Sequence, residues 1–278
     1  MDLVVQGPEL AAADVAAIAD LARAEGIHAV AGTDPAYRLT RVESRQGVAE
    51  HCASVRIDHA FVPADLTRQR VRVVAMDMDS TLITIECIDE IADRVGIKRE
   101  VAEITGAAMR GEMDFAQSLT RRVALLAGLP VGELARVYDE RLHLSPGAER
   151  MLNGFKSAGA RTLLVSGGFT FFTDRLAARL GFDATAANTL EIVADRLTGR
   201  VVPPIVDGDV KAARLTEMRK RHAGADGIAV AIGDGANDVP MLKAADVSIA
   251  YHAKPIVREE ATYTIDFCGL DAALNLFR

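Results

Sequence analysis

The sequence predicts an α/β protein: a Rossmann-like, parallel sheet core with an inserted helical cap, preceded by a small α+β N-terminal unit. Three observations predict it. Short apolar runs rich in β-branched residues recur at 71–76, 161–165 and 228–232, the pattern of strands buried on both faces. Each run is followed at once by a polar, glycine-containing loop and then by a helical pattern. Residues 85–145, between the first two runs, show helical periodicity and no strand signal.

In chain order, residues 1–70 offer a strand at 3–5, an alanine-rich helix over 9–24, a strand at 28–31 and an alternating segment at 37–42. No second helix of comparable length is legible, and the polar stretch 63–70 reads as a linker. The α/β core is expected over 71–84 and 146–278, interrupted by a cap at 85–145. In the cap, Ile88, Ile91, Ala92 and Val95 fall at i, i+3, i+4 and i+7, and Phe115, Leu119, Val123 and Leu126 form a second stripe. Gly96, Gly111 and Gly128-Leu129-Pro130 punctuate the helices. A hairpin is expected over 188–202 with Thr198-Gly199 as its turn, then a strand at 247–251 and a terminal helix over 270–277.

Composition narrows the function. The chain has 278 residues, 50% hydrophobic and 26% charged, with a formal net charge of −7. That balance argues against nucleic acid or an anionic membrane surface as the partner. Three cysteines without paired spacing suit reduced thiols, no leader-like start is present, and no apolar run reaches the length of a membrane span. A cytoplasmic protein is expected.

The chemistry is concentrated in four loops. Asp77-Met78-Asp79-Ser80-Thr81 leaves the first buried strand with two carboxylates at spacing two, which share a face. Like charges so close repel unless a cation lies between them or one holds a proton. Asp77 would attack phosphorus, and Asp79 would serve as acid and then base. Ser166-Gly167-Gly168 offers a hydroxyl and an approachable amide at a helix start for phosphate oxygens. Lys211 opens a helix, where a cation is poorly placed for the dipole, so a phosphate or the nucleophilic carboxylate is expected as its partner and a catalytic role with it; taken alone it reads as an exposed lysine. Gly233-Asp234-Gly235-Ala236-Asn237-Asp238 supplies a second metal carboxylate, Asp234, with Asp238 four residues on. Hard oxygens of Asp77, Asp234 and the Asp79 carbonyl suit Mg²⁺.

Competing chemistries fail on spacing. An EF-hand starting at Asp77 would need Gly and Glu where Leu82 and Ile88 stand. Asp238 replaces the last glycine of a dinucleotide loop, and no P-loop occurs. A cysteine phosphatase needs an arginine six residues after its nucleophile, but Asp58, Asp93 and Leu274 occupy those positions. The six scattered histidines offer no zinc spacing.

These four motifs, in order and context, resemble those of the haloacid-dehalogenase-like hydrolase superfamily. The strings around Asp79–Glu86, Phe115–Val123, Val165–Phe169 and Ala253-Lys254-Pro255 resemble its phosphoserine-hydrolysing branch. The resemblance implies a Mg²⁺-dependent phosphomonoesterase that turns O-phospho-L-serine into L-serine and phosphate through an aspartyl phosphate, the last step of serine biosynthesis. It makes Asp77 the nucleophile and Asp79 the acid/base. Asp77, Asp234 and the Asp79 carbonyl become the metal ligands, with Asp238 supporting the metal site and Lys211. It assigns phosphate oxygens to Ser166 and Gly167, with Asn237 nearby. Glu86 takes the substrate ammonium and Arg122 its carboxylate, and Met109 and Phe115 line the cap. An ACT-like unit over 1–70, with a serine site, is also implied; a homodimer is left open. Two alternatives stand beside this reading: a phosphatase or phosphotransferase for another small amino-alcohol phosphate, and a non-catalytic amino-acid sensor.

Overall fold

The computed structural model describes residues 1–278 and contains two sheets. The first is built from β1 (Asp2–Gln6), β2 (Gly26–Val30), β3 (Ala36–Thr40) and β4 (Asp58–Val62), with α1 (Ala12–Ala22) and α2 (Val48–Ser54) between them. Its order is β2-β3-β1-β4, all antiparallel. The helix α2 is the one the sequence does not reveal. It has seven residues and buries only Val48 and Cys52, too few for a helical stripe to show.

Strand alternation divides the burial of this sheet. Leu3 and Val5 join α1 and α2 in a local core, whereas Val4, Ala60 and Val62 enter the main core of the molecule. The stretch 63–70 is therefore not a free linker. Leu66 is buried in the main core and its carbonyl accepts from Arg278, while Arg68 donates its amide to the Arg278 carbonyl. Buried Asp58 accepts three amides, from Asp266 at 2.7 Å, Phe267 at 3.0 Å and Cys268 at 2.9 Å. Replacing it by alanine strands those donors. We expect Asp58→Ala to cost about 3 kcal/mol in urea unfolding, and an unchanged midpoint would show the docking contact to be incidental.

The second sheet begins with β5 (Val71–Met76). The cap helices follow: α3 (Cys87–Arg94), α4 (Lys98–Met109), α5 (Phe115–Ala124) and α6 (Gly132–Glu140). The core resumes with α7 (Ala148–Ser157), β6 (Arg161–Phe169), α8 (Thr170–Leu180), β7 (Ala184–Val193), β8 (Arg196–Val202) and α9 (Gly208–His222). It ends with β9 (Ile228–Gly233), α10 (Val239–Ala244), β10 (Val247–Tyr251), α11 (Pro255–Glu260) and β11 (Tyr263–Ile265). Strand order is β11-β10-β9-β5-β6-β7-β8, parallel except for β8. Val74 and Met76 face one layer with Phe155 of α7 and Phe172 of α8; Val73 and Ala75 face the other with Leu215 of α9 and Met241 of α10. Burial on both faces is why these runs are continuously apolar. No helix is long and apolar enough to cross a membrane.

Two expectations are corrected. The hairpin turn is Ala194-Asp195, with φ 49° and 60°, and Thr198-Gly199 lies inside β8. A two-residue turn needs left-handed residues, normally signalled by Asn-Gly or Asp-Gly; alanine gives no such signal. The chain end, Leu270–Leu276, is a 3₁₀ helix with every residue buried, because packing against the small sheet replaces the solvent face an α period would need.

The cap is bonded to the core at both ends. Thr84 donates to the His143 carbonyl and Ser145 to that of Leu82, while beyond α5 the Gly128 amide donates to the Leu197 carbonyl of β8 and the Leu197 amide to the Leu129 carbonyl. Of the two expected stripes, Ile88, Ile91, Ala92, Leu119, Val123 and Leu126 are buried; Val95 and Phe115 are half-buried.

Candidate active site

Because β5 is central, with β6 and β9 beside it, the loops leaving these three strands meet at one edge. Met76 pairs with Leu164 and with Ile232, so the register brings Asp77, Ser166 and Asp234 to a common level. Asp77 is fixed by its own ends: its amide donates to the Ile232 carbonyl, and its carboxylate accepts from Met78 at 2.7 Å. The turn that follows holds Ser80 left-handed at φ 54°, a strained conformation for a non-glycine residue that is common at functional sites. The Ser80 hydroxyl donates to Glu86 at 2.8 Å.

Lys211, expected beside a phosphate or the nucleophilic carboxylate, has 0% exposure. Its Nζ lies 2.8 Å from Asp77 and 2.7 Å from Asp238. Burial opposes its charge, but Asp238 and Asp77 outweigh that and hold the ammonium above the ordinary lysine value. The other Asp238 oxygen accepts the amides of Asp234 at 3.2 Å and Gly235 at 3.1 Å. Asp238 is thus occupied by the loop and the lysine, as a supporting residue would be.

Oxygens of Asp77, Asp234 and Asp238 lie within 4.8 Å of one another. Three carboxylates against the single ammonium of Lys211 leave two negative charges in excess. Burial, then Asp238, then the opposing pull of Lys211 leave Asp77 well above the usual carboxylate value. Burial and then Asp238 push Asp234 up to about 6. A hard divalent cation matches both the oxygen donors and the surplus charge, so the residues fit Mg²⁺. The Asp79 carboxylate stands apart from this trio and accepts from the Cys87 amide at 3.2 Å. Burial and then Glu86 raise it to about 7, the range a general acid needs.

These shifts carry a pH dependence. A carboxylate raised in the folded state adds stability that is whole below its unfolded value near 4 and lost as pH rises through about 6 to 7 for Asp234 and Asp79. A magnesium ion held by the ionised set would cancel that loss. We expect Mg²⁺ to raise the melting temperature by on the order of 5–10 °C at about pH 8 and by less at about pH 5. Equal shifts at both values would contradict the assignment.

A cavity of about 690 Å³ opens over this edge, between core and cap. It is lined by Asp77, Asp79, Ser166, Gly167, Asp234 and Asn237 from the core and by Glu86, Met109, Phe115 and Arg122 from the cap side. All expected site residues except Lys211 and Asp238 reach it; those two lie beneath. Met109 is 71% exposed at the rim. Ser166 sits within β6 rather than at the start of α8, and its oxygen accepts from the Gly168 amide at 2.8 Å. A Cβ on Gly167 would come within 2.8 Å of Phe115, and one on Gly168 within 2.8 Å of Asp79. Both glycines are needed for that approach. Burial lowers the Arg122 guanidinium value against the favourable charges of Asp89, Glu86 and Asp79.

Three residues escaped the sequence reading. Thr81 is fully buried and its hydroxyl donates to Asp234 at 3.0 Å. It belongs to the first loop motif, so its place was available but its bond was not. Asp89 lines the cavity opposite Arg122 and follows Glu86 by three positions, on the same helical side. Lys254 also lines the cavity and lies beside Asp234.

The haloacid dehalogenase-like hydrolase family model matches residues 74–243, and the chain belongs to that family of hydrolases. More particularly, its relatives are phosphoserine phosphatases. The chain is 51% identical over 219 residues to the phosphoserine phosphatase of Polaromonas sp. strain JS666, covering 77% of this chain and 93% of the relative. It is 48% identical to that of Streptomyces coelicolor over 236 residues, covering 84% of this chain and 56% of the relative. Among solved structures, a probable phosphoserine phosphatase from Vibrio cholerae superposes with a TM-score of 0.83 at 33% identity, covering 99% of this chain and 85% of that one. A substrate-bound phosphoserine phosphatase complex gives a TM-score of 0.69 at 35% identity, covering 75% and 99%. A domain of unknown function matches residues 3–48.

Proposed function

We propose that the chain hydrolyses O-phospho-L-serine to L-serine and phosphate with Mg²⁺, in the cytoplasm, as the last step of serine biosynthesis. The observation that carries this is the cluster of Asp77, Asp234 and Asp238, with Lys211 between Asp77 and Asp238, opening into a cavity whose cap side presents two carboxylates, Glu86 and Asp89, and one guanidinium, Arg122. Phosphoserine has a zwitterionic head. Glu86 can take its ammonium, and Arg122 can take its carboxylate bidentately. The sensor alternative is disfavoured because every catalytic motif position is filled.

In the first step an Asp77 oxygen forms a bond to phosphorus as the bond to the seryl oxygen breaks, and the Asp79 carboxylic acid delivers its proton to that oxygen. In the second, the Asp79 carboxylate takes a proton from water, whose oxygen bonds to phosphorus while Asp77 is released as a carboxylate. Ser166, Gly167 and Asn237 hold the phosphate oxygens throughout. Mg²⁺, held by Asp77, Asp234 and the Asp79 carbonyl, would supply positive charge to those oxygens. Lys211 orients Asp77 towards the substrate, and Asp238 holds Lys211. Phe115, close against Gly167, screens the apolar side of the pocket from water, and Met109 stands at its rim.

The test is phosphate release from a panel of phospho-metabolites with Mg²⁺ or EDTA. Phosphoserine is expected to be turned over first, with activity lost on chelation. Preference for another amino-alcohol phosphate, or phosphate transfer to added alcohol, would favour the alternative reading. Arg122→Ala is expected to lower kcat/KM on phosphoserine by about 10²-fold, and by far less on p-nitrophenyl phosphate, which lacks the carboxylate. Equal losses on both would remove Arg122 from recognition. The proposal also carries an ACT-like serine site on residues 1–70 and a homodimer, checked by serine calorimetry on the Arg122→Ala chain and by light scattering.

A further inference from the structure

The cavity presents a charge problem to its substrate. Five carboxylates line it against two cations, Arg122 and Lys254. Arg122 comes from the cap and is committed to a carboxylate in the reading above. Lys254 comes from the core, on the loop between β10 and α11. Its amide donates to the Asp234 carbonyl at 3.1 Å, which fixes its backbone to the loop carrying a metal carboxylate. Its side chain is exposed and pairs with no carboxylate, unlike Lys211, Lys243 and Arg258 around it. An unpaired ammonium anchored at the rim of an acidic cavity is free to meet an anion.

We propose that Lys254 is the phosphate-capture residue of this site: it draws the phosphate end of the substrate past the acidic rim and holds inorganic phosphate before release. The inference rests on the phosphomonoesterase reading, and on the phosphate group rather than on serine. Arg122 and Lys254 then take the two ends of one doubly anionic substrate, from the cap and from the core. Lys254 supports Asp234 electrostatically as well, but a cation beside a metal ligand repels the metal, so support of Mg²⁺ binding is not its use. It binds the phosphate group directly and takes no part in bond making.

The experiment compares Lys254→Gln and Lys254→Arg with the parent chain, on phosphoserine and on p-nitrophenyl phosphate, across ionic strength. Lys254→Gln is expected to lower kcat/KM on both substrates by about tenfold at low salt, with kcat changed much less and the salt dependence flattened. Inhibition by inorganic phosphate should weaken by a similar factor, half-saturation by Mg²⁺ should not rise, and Lys254→Arg should restore most of the loss. Unchanged kcat/KM, salt slope and phosphate inhibition would overturn the proposal. So would a rise in the Mg²⁺ requirement alone, or a loss of melting temperature that arginine does not restore. A chain that ignores phosphoserine but turns over p-nitrophenyl phosphate would sink the substrate assignment while leaving Lys254 fully tested.

Discussion

Asp77→Asn is expected to abolish turnover, by about 10⁴-fold or more, in a chain that remains folded. The amide keeps the size and the bond from Met78, but it cannot form an acyl phosphate. Rapid acid quenching with labelled phosphoserine should trap phosphate on the parent chain and none on the variant. Folding should survive because the charge of Asp77 is already unfavourable: burial and then Asp238 raise its value despite Lys211. Removing one of three clustered carboxylates relieves repulsion, and Lys211 keeps Asp238 at 2.7 Å. The melting temperature without metal should therefore be unchanged or higher. Activity within about tenfold of the parent would refute covalent catalysis by this residue.

Lys211→Ala should damage both function and stability. The ammonium is the only positive charge within ion-pair distance of Asp77 and Asp238, and it has no exposure to water. Its loss leaves two buried carboxylates facing each other, and breaking such a pair costs about 3–5 kcal/mol. In thermal unfolding that is on the order of 10 °C for a chain of this size. Asp77, already above the usual carboxylate value, loses the ammonium that opposes the rise, so the penalty should shrink at low pH and grow towards about pH 8. Turnover should fall about 10²–10³-fold, the worth of one electrostatic contact in a water-excluded site. Metal-saturated Lys211→Ala as stable and active as the parent would show that the lysine neither orients Asp77 nor balances the cluster.

The two variants separate roles that the geometry places side by side. Asp77→Asn is expected to remove the proposed attacking atom and to spare the framework. Lys211→Ala leaves that atom present but unsteered, inside a destabilised cluster.

Legibility followed the physics of each element. Buried parallel strands must be apolar throughout, so β5, β9 and β10 stood out as continuous runs, and the acids ending β5 stood out against them. Glu86 and Arg122 are singled out as candidate site residues only through family resemblance, because a charged residue at a cap helix has the same local pattern whether it meets substrate or water. Helix α2, the Ala194-Asp195 turn and the buried course of 63–70 were illegible for a common reason: each is held by contacts distant in sequence, such as Asp58 with the amides of 266–268. Lys211 shows the same limit. Its neighbours in sequence describe an exposed helix start, and its neighbours in space are Asp77 and Asp238.

The sequence by itself determined the α/β class, the order of the four loops and which residue types carry chemistry, since alternation, apolar runs and motif spacing are local properties of the chain. Only the tertiary structure decided that three carboxylates and one ammonium share a buried volume, that Asp79 stands apart from them, and that one face of the small sheet packs into the main core. Those outcomes depend on distances between residues far apart in the chain, which are fixed when strand register and packing close the sheet.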